Sequence, residues 1–131
     1  MTAPKSGFEA ALTFACTDDL ERSVGFYRDV LGLEPVLELS SAVLFKVTGE
    51  AYFGVTVRPP RPGGTIQEFV VANRDCVDEW YRHLVRVGTP VEEPPRAFAA
   101  AGAYGFFTED PDGNRLEFLC FDNQAFLGRG R

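Results

Sequence analysis

Hydrophobic and polar positions along the chain follow one pattern twice. Each copy begins with an apolar, β-rich stretch, at residues 11–16 in the first copy and at residues 66–71 in the second. A polar cap and a helical repeat that carries an aromatic residue, Tyr and Arg come next in both copies. One constant offset superimposes the two copies and places residues 26–28 on residues 80–82. The pattern therefore predicts a duplicated half-domain.

The first copy begins with a strand predicted at residues 9–16. Asp18 followed by Glu21 predicts a capping-box start for a helix, because acidic side chains accept hydrogen bonds from the free N–H groups of the first turn. Gly32 is placed to end the helix as a left-handed residue. Helical spacing predicts one buried face, which consists of Leu20, Val24, Tyr27 and Leu31.

Three further strands complete the first copy, at residues 35–39, 42–47 and 51–57. Residues 58–64 are rich in Pro and Gly, which breaks regular structure and indicates a connection between the halves. We therefore expect a single domain over residues 1–131. It is made of one module at 8–58 and a second at 65–122, joined by a Pro/Gly linker at 59–64.

The second copy repeats this order of elements. A strand is predicted at residues 66–71 and a helix at about 75–87, which Gly88 closes. Residues 90–102 form a long loop with at most one short strand, and its length suggests a rim or lid. Two last strands, at 104–109 and 115–121, flank a turn in which Pro111 pre-sets φ and Gly113 tolerates positive φ. Each copy therefore has the predicted element order β-α-β-β-β.

Charge and cysteine content narrow the classes of function. The net charge is −6 and like charges do not cluster, which argues against a nucleic-acid partner. No apolar run approaches the roughly 18–20 residues that span a bilayer, and the first residues lack a signal-peptide core, so no membrane partner is expected. Three cysteines without C-x-x-C spacing predict buried free thiols and a cytoplasmic location. They are Cys16, Cys76 and Cys120.

Three segments carry a family resemblance, namely residues 19–33, the weaker echo through 80–82, and residues 110–118. They resemble the vicinal oxygen chelate superfamily, which includes glyoxalases, ring-cleaving dioxygenases and bleomycin-resistance proteins. The resemblance covers residues 9–121. It implies an α+β fold in which two tandem βαβββ modules form a curved-sheet cup. These segments describe the scaffold and leave the chemistry open.

Metal-using members of that superfamily hold a divalent ion through four side chains, and the resemblance locates the four positions here. They fall on Leu12, Ile66, Thr56 (within one residue) and Glu117. Of these, Glu117 alone matches the expected ligand type, and one carboxylate is too few for a divalent metal. The chain's single histidine, His83, is predicted to face solvent from mid-helix. We therefore expect no metal and no cofactor.

Strand alternation extends the prediction to the lining of the cup. Glu117 has two alternatives to a role in ligand binding, namely a hydrogen bond to the backbone or an ion pair with Arg115. Glu68 would point to the outer face if its strand were shifted by one residue in register. The family pattern adds Phe107 and Gly105. The expected ligand-binding residues are Leu12, Phe14, Cys16, Ile66, Glu68, Gly105, Phe107, Arg115, Glu117 and Leu119.

An apolar and aromatic lining with few polar groups suits an organic ligand. The leading hypothesis is a metal-free small-molecule-binding protein of the bleomycin-resistance type, with a role in antibiotic resistance. It would sequester a largely apolar or aromatic ligand, with a cationic group favoured by Glu68 and Glu117, in a cleft that a second subunit of a homodimer completes.

The alternative is an enzyme, a glyoxalase-like lyase or isomerase with or without a divalent metal. Glu117, the candidate catalytic residue, or Glu68 would act as the general base, since a desolvated carboxylate has a raised pKa. The sequence leans away from an enzyme without deciding the question. A pure scaffold or interaction module is a third possibility.

Overall fold

The computed structural model describes residues 11–59 and 66–125, which divide into two compact units, Met1–Pro60 and Arg61–Arg131. Each unit has one helical segment and one four-stranded sheet. The expected α+β class, with two tandem βαβββ modules, is confirmed. Apart from Pro59, the predicted linker lies outside the described residues, as do the predicted module ends at 8–10 and 65.

The first unit orders its strands β1-β4-β3-β2. The β1 strand pairs with β4 in parallel, and the other neighbours are antiparallel. A π-helical turn continues the helix, which the sequence did not predict. The elements are β1 (Ala11–Thr17), α1 (Leu20–Gly25), the π-helical turn (Phe26–Val30), β2 (Glu34–Glu38), β3 (Ala42–Thr48) and β4 (Ala51–Val57).

The second unit repeats the arrangement with the order β5-β8-β7-β6, in which β5 and β8 are parallel. The long loop contains one short strand, β6, as predicted, and a 3₁₀ turn follows it. The elements are β5 (Gln67–Val70), α2 (Arg74–Arg86), β6 (Arg96–Phe98), the 3₁₀ turn (Ala99–Ala101), β7 (Ala103–Glu109) and β8 (Arg115–Phe121).

Equivalent residues of the repeat cap the two helices. The side chain of Asp19 accepts a hydrogen bond from the backbone N–H of Arg22 at 3.1 Å, and Asn73 accepts one from Cys76 at 3.0 Å. The prediction that Asp18 caps the first helix is wrong by one residue, because Asp18 instead pairs with the Arg22 guanidinium at 3.1 Å. The duplication seen in the sequence is therefore repeated in how each helix begins.

Gly32 ends the first helical segment as predicted, with φ of 73°. The backbone N–H of Leu33 reaches back to the carbonyl of Tyr27 at 2.9 Å, a six-residue closure that a left-handed residue permits. Tyr27 itself is fully buried and contacts the rings of Phe45 and Phe53. The predicted buried face of this helix is thus the core of the first unit, with Leu20 half-buried at its edge.

Aromatic rings on one side of the second sheet form the core of the second unit. Phe106 and Phe118 stack at 5.3 Å with an interplanar angle of 7°. Two α2 side chains cover them, since Tyr81 meets Phe106 at 5.6 Å and Trp80 meets Phe118 at 5.4 Å. This stack fixes which face of the sheet is turned toward α2.

The predicted turn between β7 and β8 is organised by Asp110, which is 5% exposed. Its carboxylate accepts hydrogen bonds from the backbone N–H groups of Asp112 and Asn114 and from the Asn114 side chain, at 2.7–2.9 Å. Gly113 supplies the positive φ, at 82°. The hairpin register therefore depends on one carboxylate.

Replacing Asp110 by Ala is expected to lower the free energy of unfolding by about 2 kcal/mol, because buried backbone N–H groups lose a charged acceptor. Urea denaturation at pH 7 measures the change. Asp112→Ala is the matched control within the same turn and should cost less than half as much. An equal loss in both variants would show that the turn, and not the Asp110 carboxylate, is the sensitive element.

Among the described residues, no helix combines the length and the apolar character needed to cross a bilayer. The three cysteines are free thiols. Cys120 is buried, whereas Cys16 and Cys76 are half-buried, so the prediction of burial is right for one of the three.

Candidate functional site

The side chains of β8 divide between two faces of the second sheet. Leu116 and Phe118 belong to the side that packs under α2, and alternation turns Arg115, Glu117 and Leu119 the other way. We call this second side the far face. Register pairing places three further predicted residues of the second unit on it as well. They are Glu68, Gly105 and Phe107.

Two carboxyl groups meet on the far face. Glu68 of β5 lies directly opposite Glu117 in the parallel ladder, and Glu117 is 7% exposed. Burial raises the pKa of Glu117 to about 7, with a hydrogen bond to the Glu68 side chain and its negative charge as further causes and the Arg115 charge opposing. About half of the Glu117 side chains are therefore protonated at pH 7, and in this form Glu117 can donate a hydrogen bond as well as accept one.

Aromatic rings and guanidinium groups alternate beside this carboxyl pair. Phe107 is the β7 partner of Glu117, and its ring meets the ring of Phe98 edge-on at 5.9 Å. The guanidinium carbon of Arg115 lies 4.1 Å above the centre of the Phe107 ring, and that of Arg96 lies 4.5 Å above Phe98. Each cation thus rests on the negative face of a ring.

The loop before β6 is fastened to the same face by two ion pairs. Glu92 contacts Arg115 and Glu93 contacts Arg96, both at 3.2 Å. The backbone N–H of Glu92 also donates to the Phe107 carbonyl at 3.2 Å. The loop predicted as a rim is therefore bound to the sheet, and a cavity of about 360 Å³ lies beside it. Its lining is Glu92, Glu93, Pro94, Arg96, Phe98, Gly105, Phe106, Phe107 and Arg115.

Sequence reasoning found half of this arrangement. Glu68, Glu117, Phe107 and Arg115 are brought together as the alternation predicted. The part contributed by β6 was missed because the surrounding loop offered no long alternating run. A short signal was nevertheless present, because Arg96 and Phe98 are two residues apart and therefore place a cation and a ring on one side of a strand.

The other predicted residues of the second unit differ in exposure. Ile66 precedes β5 and is 43% exposed, whereas Leu119 is 2% exposed beside Gly105. His83 does not simply face solvent, because it is half-buried with its ring 5.5 Å from that of Trp80.

Within the first unit, Leu12, Phe14 and Cys16 share one face of β1, the face away from the core ring of Phe53. Leu12 and Phe14 are exposed and Cys16 is half-buried. The Phe14 ring lies against its β4 partner Gly54, where an added Cβ would come within 2.4 Å of the ring. Their role in ligand binding stays a prediction.

A model of the glyoxalase/bleomycin resistance protein/dioxygenase superfamily matches residues 10–118. The chain belongs to this superfamily. A lactoylglutathione lyase from Agrobacterium tumefaciens is 30% identical, with a TM-score of 0.69 over 90% of this chain and 96% of that one. A glyoxalase/bleomycin resistance protein from Albidiferax ferrireducens T118 is 25% identical, with a TM-score of 0.69 over 83% and 95%.

A third solved structure shares the fold alone. It is a glyoxalase/bleomycin resistance protein/dioxygenase from Nocardioides, 18% identical, with a TM-score of 0.74 over 90% of this chain and 86% of that one. These similarities establish the superfamily and its scaffold. The chemistry of this member depends on the residues at its own site.

Sheet register corrects one of the four positions where metal-using superfamily members place ligands. Glu117 pairs with Glu68, whose repeat equivalent is Phe14, and Phe14 pairs with Gly54. The first-half counterpart of Glu117 is therefore Gly54, and the assignment to Thr56 is wrong.

The four ligand positions are thus Leu12, Gly54, Ile66 and Glu117, and three of them have no donor side chain. Among the residues that the structure describes, no group of three or more His, Cys, Asp or Glu side chains could hold a metal ion. This donor set does not fit a divalent metal.

Proposed function

We propose that this superfamily member binds a small organic molecule on the far face of its second sheet, as a sequestering protein of the bleomycin-resistance type. The observation that carries the proposal is the cavity of about 360 Å³ that Phe98 and Phe107 line. Glu117 is the β8 partner of Phe107. Pockets of this size with aromatic walls and a few fixed polar groups suit drug-sized ligands. Antibiotic resistance and a cytoplasmic location are the corresponding proposals for its role and place.

Ligand recognition would combine two terms. Aromatic rings of the ligand would be buried against Phe98 and Phe107, and Glu117 would satisfy one polar group. Its pKa is raised to about 7, so about half of the Glu117 side chains are protonated at pH 7, and the protonated form offers a donor as well as an acceptor.

We further propose that the active form is a homodimer in which the second subunit completes the cleft. Apolar side chains on the sheet faces support this, since Leu12, Phe14 and Val70 are each more than a third exposed. Native mass spectrometry and sedimentation at micromolar concentration test the assembly. A monomer that still binds ligand would remove the second subunit from the proposal.

A thermal-shift screen with aromatic natural products tests the binding function. At least one ligand is expected to raise the melting temperature, and Phe107→Leu is expected to weaken its affinity about tenfold, because ring stacking and burial are lost together. Val85→Leu on the exposed side of α2 is the control and should leave affinity unchanged. If ligands stabilise Phe107→Leu and Val85→Leu to the same extent as the parent chain, the far face is not where they bind.

Proton transfer is a second candidate, and the pKa of Glu117 near 7 is the observation that favours it. A carboxyl group that titrates near neutral pH can take a proton from a carbon next to a carbonyl and return it. The enzyme would then be a lyase or isomerase without a metal, with Glu117 as the base and Glu68 as its hydrogen-bond partner. The 30% identical lyase makes lactoylglutathione lyase activity the first reaction to assay.

The two candidates respond differently to Glu117→Gln. An enzyme of this kind would lose about 10²–10⁴ in turnover, since general-base catalysis contributes that much. A sequestering protein would show no turnover in either form and would keep its ligand affinity within about tenfold. Glu50→Gln, in the exposed turn before β4, is the matched control and should change neither quantity.

A further inference from the structure

Two guanidinium groups in the cavity of the second unit have no part in the binding proposal so far. Arg96 and Arg115 both come from the sheet, and each lies over a phenyl ring that is also part of the sheet. A side chain held on a ring has fewer conformations to lose when a ligand arrives. The cations are therefore held in place before binding, on the wall of a cavity that already exists.

The negative partners of these cations belong to the loop and can be exchanged. Glu92 and Glu93 are at least half exposed in their ion pairs, and such pairs contribute little to stability. The contact with Glu92 uses Nη2 of Arg115, and the contact with Glu93 uses Nε of Arg96. A guanidinium has five N–H donors, so both retain donors for a further acceptor.

Charge decides which kind of ring stacks here. Arg115 covers one face of the Phe107 ring and both side chains line the cavity, so a ligand ring bound there lies beside a guanidinium group. A cationic ligand is repelled at that position, a neutral ring is accepted, and an anionic ring gains a charge-assisted contact. Glu92 and Glu93 neutralise the two guanidinium groups in the free chain, so an anionic group gains its contact by displacing these exposed carboxylates. Glu68 and Glu117 are not among the residues that line the cavity.

The cavity also has room beside these cations. Gly105 is the register partner of both Arg96 and Leu119, and it contributes no side chain between them. A Cβ at this position would lie 2.4 Å from the Phe118 carbonyl oxygen, so the position is restricted to glycine. Gly105 therefore contributes only backbone to the lining of the cavity.

We propose that the cavity takes a planar aromatic carboxylate, with its ring against the Arg115 guanidinium and its carboxylate on the free donors of Arg96 and Arg115. The inference rests on the proposed binding function and names its ligand class. It replaces the cationic ligand expected from the sequence with an anionic one.

Three naphthalene probes of equal size and different charge test the inference: 2-naphthoate, 2-naphthamide and 2-naphthylmethylammonium. Their affinities are measured by naphthyl fluorescence at low salt and about pH 6, where Glu117 is protonated because its pKa is raised to about 7 and where 2-naphthoate is still ionised. 2-Naphthoate is expected to bind at least about tenfold more tightly than the amide, since hydrogen bonds from charged donors to a charged acceptor are the stronger kind. The ammonium probe is expected to bind most weakly.

Variants locate the preference. Arg115→Gln and Arg96→Gln should each reduce the advantage of 2-naphthoate over 2-naphthamide about tenfold, and unchanged circular dichroism shows that the fold is kept. Arg28→Gln is the matched control, because Arg28 is another half-exposed arginine in an ion pair, with Asp29 in the first unit. It should leave the advantage unchanged.

Three results would overturn the inference. They are equal binding of the acid and the amide, an advantage that survives both cavity variants, and no binding of 2-naphthoate below millimolar concentration. If the ammonium probe binds best and Glu117→Gln weakens it, the binding function stands and the ligand class is cationic. If no naphthalene probe binds and the natural-product screen also finds no ligand, both proposals fail.

Discussion

Replacing Glu117 by Gln is expected to stabilise the protein above pH 7 and to leave its stability nearly unchanged at pH 5. Burial beside Glu68 raises the pKa of Glu117 from its usual 4.5 to about 7, so the folded chain holds this proton more tightly than the unfolded chain does. The free energy of unfolding therefore falls as the pH rises from about 4.5 to about 7. An amide keeps the hydrogen-bond donor to Glu68 and never ionises, so the free energy of unfolding of the variant does not fall over this pH range.

The full effect at pH 8.5 is up to about 3 kcal/mol, since one pKa unit corresponds to about 1.4 kcal/mol. Urea denaturation of the parent chain and of Glu117→Gln at pH 5, 7 and 8.5 measures it. Glu50→Gln, at an exposed turn, is the control and should run parallel to the parent at all three values. A constant difference between Glu117→Gln and the parent chain from pH 5 to 8.5 would mean that the pKa of Glu117 is not raised in the folded chain.

Replacing Gly105 by Ala is expected to lower the free energy of unfolding by about 2–3 kcal/mol, the usual cost of forcing a methyl group into a filled site. Its Cβ would lie 2.4 Å from the Phe118 carbonyl oxygen and 2.8 Å from Leu119 Cβ, so β7 and β8 must separate. The same shift would change the shape of the cavity, which Gly105 lines, and weaken the binding of a ligand there. Urea denaturation and the probe affinities report the two effects.

Gly25→Ala is the matched control for this substitution. Gly25 lies in α1 with φ of −57°, and its added Cβ would meet no atom closer than 4.0 Å. Ala is the better helix former, so this change is expected to stabilise the protein by up to about 1 kcal/mol. If Gly105→Ala proves as harmless as Gly25→Ala, the close packing of β7 on β8 is not a constraint on this position.

Local pattern was enough to predict the order of elements. The repeat is visible in the order of the residues. Interactions within a few residues of each other set the helix ends at Gly32 and Gly88 and the turn at Asp110. Such features can be recognised in the sequence because hydrogen-bond geometry and allowed φ values are properties of short segments. The one-residue error at the first cap arose because Asp18 and Asp19 are both suitable acids, and only the backbone angles choose between them.

The site was predicted only as far as strand alternation reaches. Alternation places Glu117, Arg115 and Phe107 on one face, but it carries no information about which strands are neighbours. The pairing of β5 with β8 brings Glu68 against Glu117 from a distant part of the chain, and this contact raises the pKa. The same absence of pairing information led to Thr56, where register selects Gly54.

By itself, the sequence determined the α+β class, the duplicated βαβββ order, the superfamily and the lack of donor side chains at Leu12 and Ile66, two of the four ligand positions. These follow from local propensity and residue identity. The tertiary structure alone decided that Glu117 is buried beside Glu68 with a raised pKa and that two guanidinium groups lie on phenyl rings beside a cavity. Both depend on the distance between side chains far apart in the chain, and strand pairing sets that distance.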